Sequence, residues 1–159
     1  MSLILSGDNG VTFPNSTVQA SAGVVLQVVN ASYGTSFTTT SASLVTTGIT
    51  ASITPKFSTS KILVLINTRG YVNSATSTQN FAIFRNSTNL TGANGYSSYT
   101  TATLIQLMQS FQYLDSPATT SATTYTLYTA SPNGTTIVGT QPNGSGDFPA
   151  SITLMEIAG

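Results

Sequence analysis

The sequence contains no cysteine, no histidine and no tryptophan, and only 5 % of its 159 residues carry charge. Ordinary soluble domains carry about 25 %. Without cysteine there are no disulfides, no thiolate chemistry, no cysteine-ligated zinc and no iron–sulfur cluster, and the redox compartment cannot be read. Without histidine the commonest general base and metal ligand is missing, and a Ser-His-Asp triad in its usual form cannot be built. No Gly-x-Ser-x-Gly elbow occurs, and the glycines form no phosphate loop: the pair at 144 and 146 reads as a turn. The four cations, Lys56, Lys61, Arg69 and Arg85, balance four acids to a net charge of zero. They are too few for the basic stripe that phosphate contacts require, so nucleic acid is excluded as a partner. The longest strongly apolar run, 62–66, is far below the roughly 20 residues that span a bilayer, which argues against membrane insertion. The opening MSLIL lacks a basic region and a long apolar stretch, so no signal peptide is expected. No metal or cofactor is expected, and the composition points away from enzymes.

Serine and threonine are abundant instead, together 51 of 159 residues, while hydrophobic types make up 40 %. That suffices for one domain with a core. Leu, Ile, Val and Phe are about a quarter of the chain and net charge is nil, which argues against disorder. Six Asn-x-Ser/Thr matches begin at Asn15, Asn30, Asn86, Asn89, Asn133 and Asn143. In so hydroxyl-rich a chain several arise by chance, and without a signal peptide they are expected to stay unmodified.

The dominant pattern has period two. At 49–54, Ile49, Ala51 and Ile53 face one way and Thr50, Ser52 and Thr54 the other, which describes a strand with one wet face. The run 62–66 is apolar on both faces, so it lies centrally or is covered on both sides, as by another subunit. Further strands are predicted at 24–29, 35–40, 43–47, 81–85, 124–129, 135–138 and 151–157, separated by Gly, Pro and Asn turn signals. Such spacing predicts an all-β antiparallel sandwich, jelly-roll-like. The stretch 104–113 carries both patterns. Leu104, Leu107, Met108 and Phe111 have helical spacing, but its alternation in an all-β neighbourhood favours a strand.

Residues 1–22 hold short apolar pieces separated by turns, with no clear partner strand beside them in sequence. They read as an N-terminal docking arm, with Val11, Phe13 and Pro14 as its gripping residues, or as an ordinary edge strand. Residues 23–159 form the sandwich domain. Asp115, before Ser116 and Pro117, reads as a turn residue accepting backbone N–H bonds. Glu156 lies among apolar residues of the last strand and reads most simply as solvent-facing, an arginine partner or an inter-subunit seam being the alternatives. A glycosidase-like carboxylate pair has little support from four dispersed acids. The segment 91–100 has the Tyr, Ser, Gly and Asn mixture of antibody loops, which makes Tyr96, Tyr99 and Asn94 candidate contacts for a sugar or protein. Neutral, hydroxyl-rich strands with open edges invite pairing with copies of themselves, so an obligate oligomer, a homotrimer, is expected.

The ordered set GDNGVTFPNSTVQ at 7–19, VVLQVV at 24–29, FTTTS at 37–41, GITASITP at 48–55, SKILV at 60–64, LDSPATTSATTY at 114–125 and ITLMEI at 152–157 resembles tail-fibre-type proteins of bacteriophages, notably marine and cyanobacterial ones. The resemblance implies a non-enzymatic, trimeric β-rich protein displayed on the virion and made in the host cytoplasm. Its partners would be other virion structural proteins and a host cell-surface glycan or protein. Long fibres carry an adaptor and a shaft before the globular part, and here a short arm stands in their place. A capsid decoration, or cement, protein is therefore the second expectation.

Overall fold

A computed structural model describes residues 23–92, 95–139 and 149–159 in full, and before them the backbone of three short strands. Every regular element among the described residues is a β-strand. The strands of the first segment, β1 (Ile4–Ser6), β2 (Gly10–Thr12) and β3 (Val18–Gln19), pair antiparallel with one another. These short pieces thus find local partners, contrary to the sequence reading. They share no ladder with the remaining sheets among the described residues.

The first large sheet centres on β7 (Lys61–Val72). Along one edge runs β11 (Gln106–Asp115), in register from Asp115 opposite Ile62 to Gln106 opposite Tyr71. The other edge is shared end to end. β14 (Ala150–Ile157) covers 61–67 and is flanked by β4 (Val25–Tyr33), while β13 (Thr136–Val138) covers 70–72 and is flanked by β5 (Phe37–Thr39). The second sheet has the order β10 (Tyr96–Thr100), β8 (Ser77–Arg85), β12 (Thr123–Ala130) and β6 (Val45–Ile53), with β9 (Thr88–Asn89) pairing the end of β8. Both sheets are antiparallel, and they pack as a sandwich.

Period two decides what is inside. On β7, Ile62, Val64 and Ile66 are fully buried, and Leu63 and Leu65 lie half-buried on the outer face. Ile152 and Leu154 join them from β14, Phe111 from β11, and Ile49, Ile53, Phe81, Ile83, Tyr125 and Leu127 from the second sheet. Each such side chain contributes about 1.5–3 kcal/mol on leaving water. The rings of Phe81 and Phe111 meet between the layers, centroids 4.9 Å apart. Tyr33 donates its hydroxyl to the Thr50 carbonyl, so β4 is tied across to β6.

The run 62–66 is central, as its two apolar faces predict. The predicted strands 43–47 and 49–54 are one, β6, interrupted by a bulge opposite β12 between Thr126 and Tyr128. Gly48 sits in that interruption at φ +80°, a backbone conformation glycine adopts without strain. The ambiguous stretch 104–113 resolves as strand. Leu104 itself has φ +61°, outside the helical region, and β7 offers a ladder for the whole of β11.

The interior is not apolar throughout. Towards the end of β7 at Val72, Thr68, Ser77, Gln79, Thr129 and Thr136 are buried alongside Val72, Ile137 and Val138. Gly70 lets Gln79 approach; a Cβ there would sit 2.9 Å from Gln79 Nε2. Gln109 donates to Gln79 Oε1 at 3.4 Å, but Gln79 Nε2 and Thr136 Oγ1 are buried with no hydrogen-bond partner.

Candidate assembly and contact surfaces

Two of the four acids meet at the opposite end of the sandwich, where residues 1–22 join it. Asp115 on β11 and Glu156 on β14 are the cross-strand partners of one residue, Ile62, on its two sides. Both are buried, and so is Ile62 between them. Asp115 closes the two sheets on each other. It accepts Nη1 of Arg85 on both carboxylate oxygens at 3.0 Å and the hydroxyl of Tyr125 at 2.6 Å. Burial, followed by the hydrogen bond to Asp115, pushes the Tyr125 hydroxyl far above its ordinary pKa, so it stays a donor. The turn role predicted for Asp115 is thereby corrected: it ends a strand, and its partners are side chains from the facing sheet.

Glu156 is 0 % exposed, which overturns the solvent-facing reading. Its carboxylate takes Gln27 Nε2 at 2.5 Å and the backbone N–H of Lys56 at 2.7 Å. Burial alone would raise its pKa. The hydrogen bonds from Gln27 and the Lys56 backbone, with the Ser60 hydroxyl and the Phe57 N–H close by, outweigh that and hold it below the usual carboxylate range. The pattern that concealed this is simple. Even positions of β14 point inward with Ile152 and Leu154, and Glu156 continues the same parity. Neither acid offers a free carboxylate for general acid or base chemistry, and Ile62 fills the space between them.

The candidate contact residues separate. Tyr96 and Tyr99 lie on strand β10 rather than in a loop, and alternation sends them to opposite faces. Tyr96 packs its ring on Phe111, centroids 4.9 Å apart, and donates its hydroxyl to the Gln112 carbonyl at 2.5 Å. Burial, then Tyr113, raises its pKa. Tyr99 points outward and is 64 % exposed. Asn94, Phe13 and Pro14 lie outside the described residues, as does the side chain of Val11 on β2.

The two outer faces of the sandwich differ. That of the second sheet is a ladder of hydroxyls already engaged with one another: Thr50 with Thr126 at 2.8 Å, and Ser52 with Thr124 at 2.7 Å. Beside them Phe84 and Tyr128 stack at 3.9 Å. The outer face of the first sheet changes along its length. Its rows Asn30–Thr153–Leu65–Gln112 and Ser32–Ser151–Asn67–Ser110 are mainly polar. Nearer the arm, the row Val28–Met155–Leu63–Leu114 is wholly apolar, and Val25 pairs with Ile157 beside Lys61. Val28 is 54 % and Leu114 51 % exposed.

No protein-family model matches the sequence, and no curated protein does. Among solved structures the chain is similar to the VP2 subviral particle of infectious bursal disease virus, at 13 % identity and a TM-score of 0.45 over 99 % of this chain and 46 % of that one. The T=1 particles derived from infectious bursal virus give 11 % identity and a TM-score of 0.44 over 99 % and 45 %. The CBM22-1 xylan-binding domain of Paenibacillus barcinonensis Xyn10C gives 15 % identity and a TM-score of 0.30 over 89 % and 99 %. The chain spans less than half the length of the two viral proteins, and at these scores none of the likenesses assigns a family.

Proposed function

We propose that the chain is a non-enzymatic structural protein of a virion surface, working as a homotrimer of fibre-tip or adhesin type. One observation carries this reading. The two acids of the described sandwich are consumed as internal fasteners, while apolar rows and a hydroxyl ladder lie open on its outer faces. The molecule offers surfaces for contact rather than groups for reaction. The ordered likeness to tail-fibre-type phage proteins supplies the virion setting. Tyr99, exposed on β10, is the residue through which a host glycan or protein would be touched; Tyr96 steadies the strand beneath it.

The separate β1–β3 sheet favours a second reading, decoration of the capsid, with residues 1–22 gripping the neighbouring shell protein. Quantifying the protein in purified particles separates the two: a few copies per tail favour the fibre, and a number matching the capsid lattice favours decoration. Tyr99→Ala should lower cell binding while leaving oligomeric state unchanged; unaltered binding would count against the adhesin role. A stable monomer in light scattering at micromolar concentration would remove the trimer.

A further inference from the structure

We infer that the outer face of the second sheet, at the end remote from Gly23, binds a neutral sugar between Tyr99 and the side-chain amide of Asn80. The inference rests on the adhesin reading above and names its ligand. β10 is an edge strand of that sheet. Its ladder on β8 sets Ser97 opposite Asn80 and Tyr99 opposite Thr78. Directly opposed residues share a face, so all four lie on the outer one, and Tyr99 is the diagonal neighbour of Asn80 at about 7–8 Å. Asn80 is 9 % exposed and firmly held. Ser97 donates its hydroxyl to Asn80 Oδ1 at 2.8 Å, and Thr129 donates to the Asn80 backbone carbonyl at 2.9 Å. The amide nitrogen donates to nothing among the described residues, yet it is not sealed from solvent. A fixed donor with no acceptor of its own thus stands beside an aromatic ring that is 64 % exposed.

These two groups match the two halves of a pyranose. Its C–H face is apolar and lies flat on an aromatic ring, while its hydroxyls give and take hydrogen bonds. One sugar residue on Tyr99 therefore brings a hydroxyl oxygen to the Asn80 amide, which Ser97 has already oriented and which loses little freedom on binding. Charge narrows the class. None of the four cations lies on this face: Arg85 is clasped to Asp115, Arg69 stands beside Met108 on the first sheet, and Lys56 and Lys61 lie at the other end. An acidic sugar would find no counter-charge here. A protein partner fits the corner less well. Stable interfaces bury about 800 Å² per side around an apolar centre, whereas Tyr99 stands alone among Ser97, Thr78 and Asn80.

The test applies the intact chain to an array of neutral oligosaccharides and their sialylated counterparts, then titrates the best neutral binder. Neutral glycans should bind, and the same free sugar should compete for cell attachment. Tyr99→Ala should weaken glycan binding about tenfold or more, while Tyr99→Phe, which keeps the ring, should retain it. Asn80→Asp keeps the bond from Ser97 and removes the donor, at a cost of about tenfold. Ser97→Ala leaves the amide unheld and should cost about threefold. Tyr99 and Ser97 are exposed, so their variants should melt and assemble as the wild type does, and they decide the matter even where Asn80→Asp folds poorly. An array with no neutral glycan bound, or with binding confined to its sialylated members, would overturn the inference. Cell binding that falls with Tyr99→Ala but ignores both neutral sugar and Ser97→Ala would overturn it too, leaving the adhesin reading standing with a protein receptor. Cell binding indifferent to Tyr99→Ala would overturn both.

Discussion

The two ends of the sandwich interior solve the same problem differently. At the arm end, the buried polar groups include two carboxylates with several donors each, Asp115 with Arg85 and Tyr125 and Glu156 with Gln27 and the Lys56 backbone, while the hydroxyl of Ser60 is buried there without a partner. At the far end they are neutral and incompletely paired, with Gln79 Nε2 and Thr136 Oγ1 unpartnered. Burying a carboxylate without strong donors costs several kcal/mol or forces it to take up a proton, whereas a lone amide or hydroxyl costs only about 1–3 kcal/mol and can be tolerated. In a chain this poor in charge, the acids that are kept inside sit where they join elements, between sheets or between a strand and its connecting turn. The far end is held by packing and ladders instead.

The contrast can be broken most forcefully at Asp115. Asp115→Ala strands Arg85 and Tyr125 together and should cost about 3 kcal/mol in urea unfolding, the lower part of the range for buried pairs because Arg85 keeps some solvent contact. A loss below about 1 kcal/mol would mean that the clasp contributes no more than an ordinary surface pair. Glu156 sharpens the comparison through pH. Its folded pKa is depressed, so the unfolded chain binds the extra proton; its contribution is complete above the ordinary carboxylate range and declines as pH falls through the folded value. Glu156→Gln should flatten that part of the stability–pH curve, and an unchanged curve would place the titration elsewhere. Far-end variants should matter least. Gln79→Met should stay within about 1 kcal/mol of the wild type, because it removes an unpaired amide and only one long hydrogen bond. Thr136→Val should be neutral or slightly stabilising by the same melting measurement, since its hydroxyl has no partner to lose.

Much of the architecture is legible from alternation alone. Ile49, Ala51 and Ile53 point inward as predicted, and the doubly apolar 62–66 occupies the central strand because only a strand paired on both edges is that well covered. Tertiary pairing settled what local pattern could not: the helical spacing at 104–113 yields to the long ladder on β7. Strand β10 escaped notice because its residues, Tyr96 to Thr100, contain no aliphatic side chain, and their turn-like composition masks the alternation. The roles of Asp115 and Glu156 were illegible for a different reason. Their partners, Arg85, Tyr125 and Gln27, are distant in sequence, and parity on the strand was the only available clue. Of the contact residues, Tyr99 reaches the surface as expected, while Tyr96 turns inward on the same strand.

The insertion of β14 between β4 and β7 has a consequence for biosynthesis. While the ribosome is still adding residues 150–157, the nascent chain already displays two long strands whose facing edges have nothing to bond, and it has little charge to keep such edges apart. Closure of the core must wait for β14. Chains from which residues 150–157 are deleted should accordingly yield aggregates rather than a slightly smaller knob.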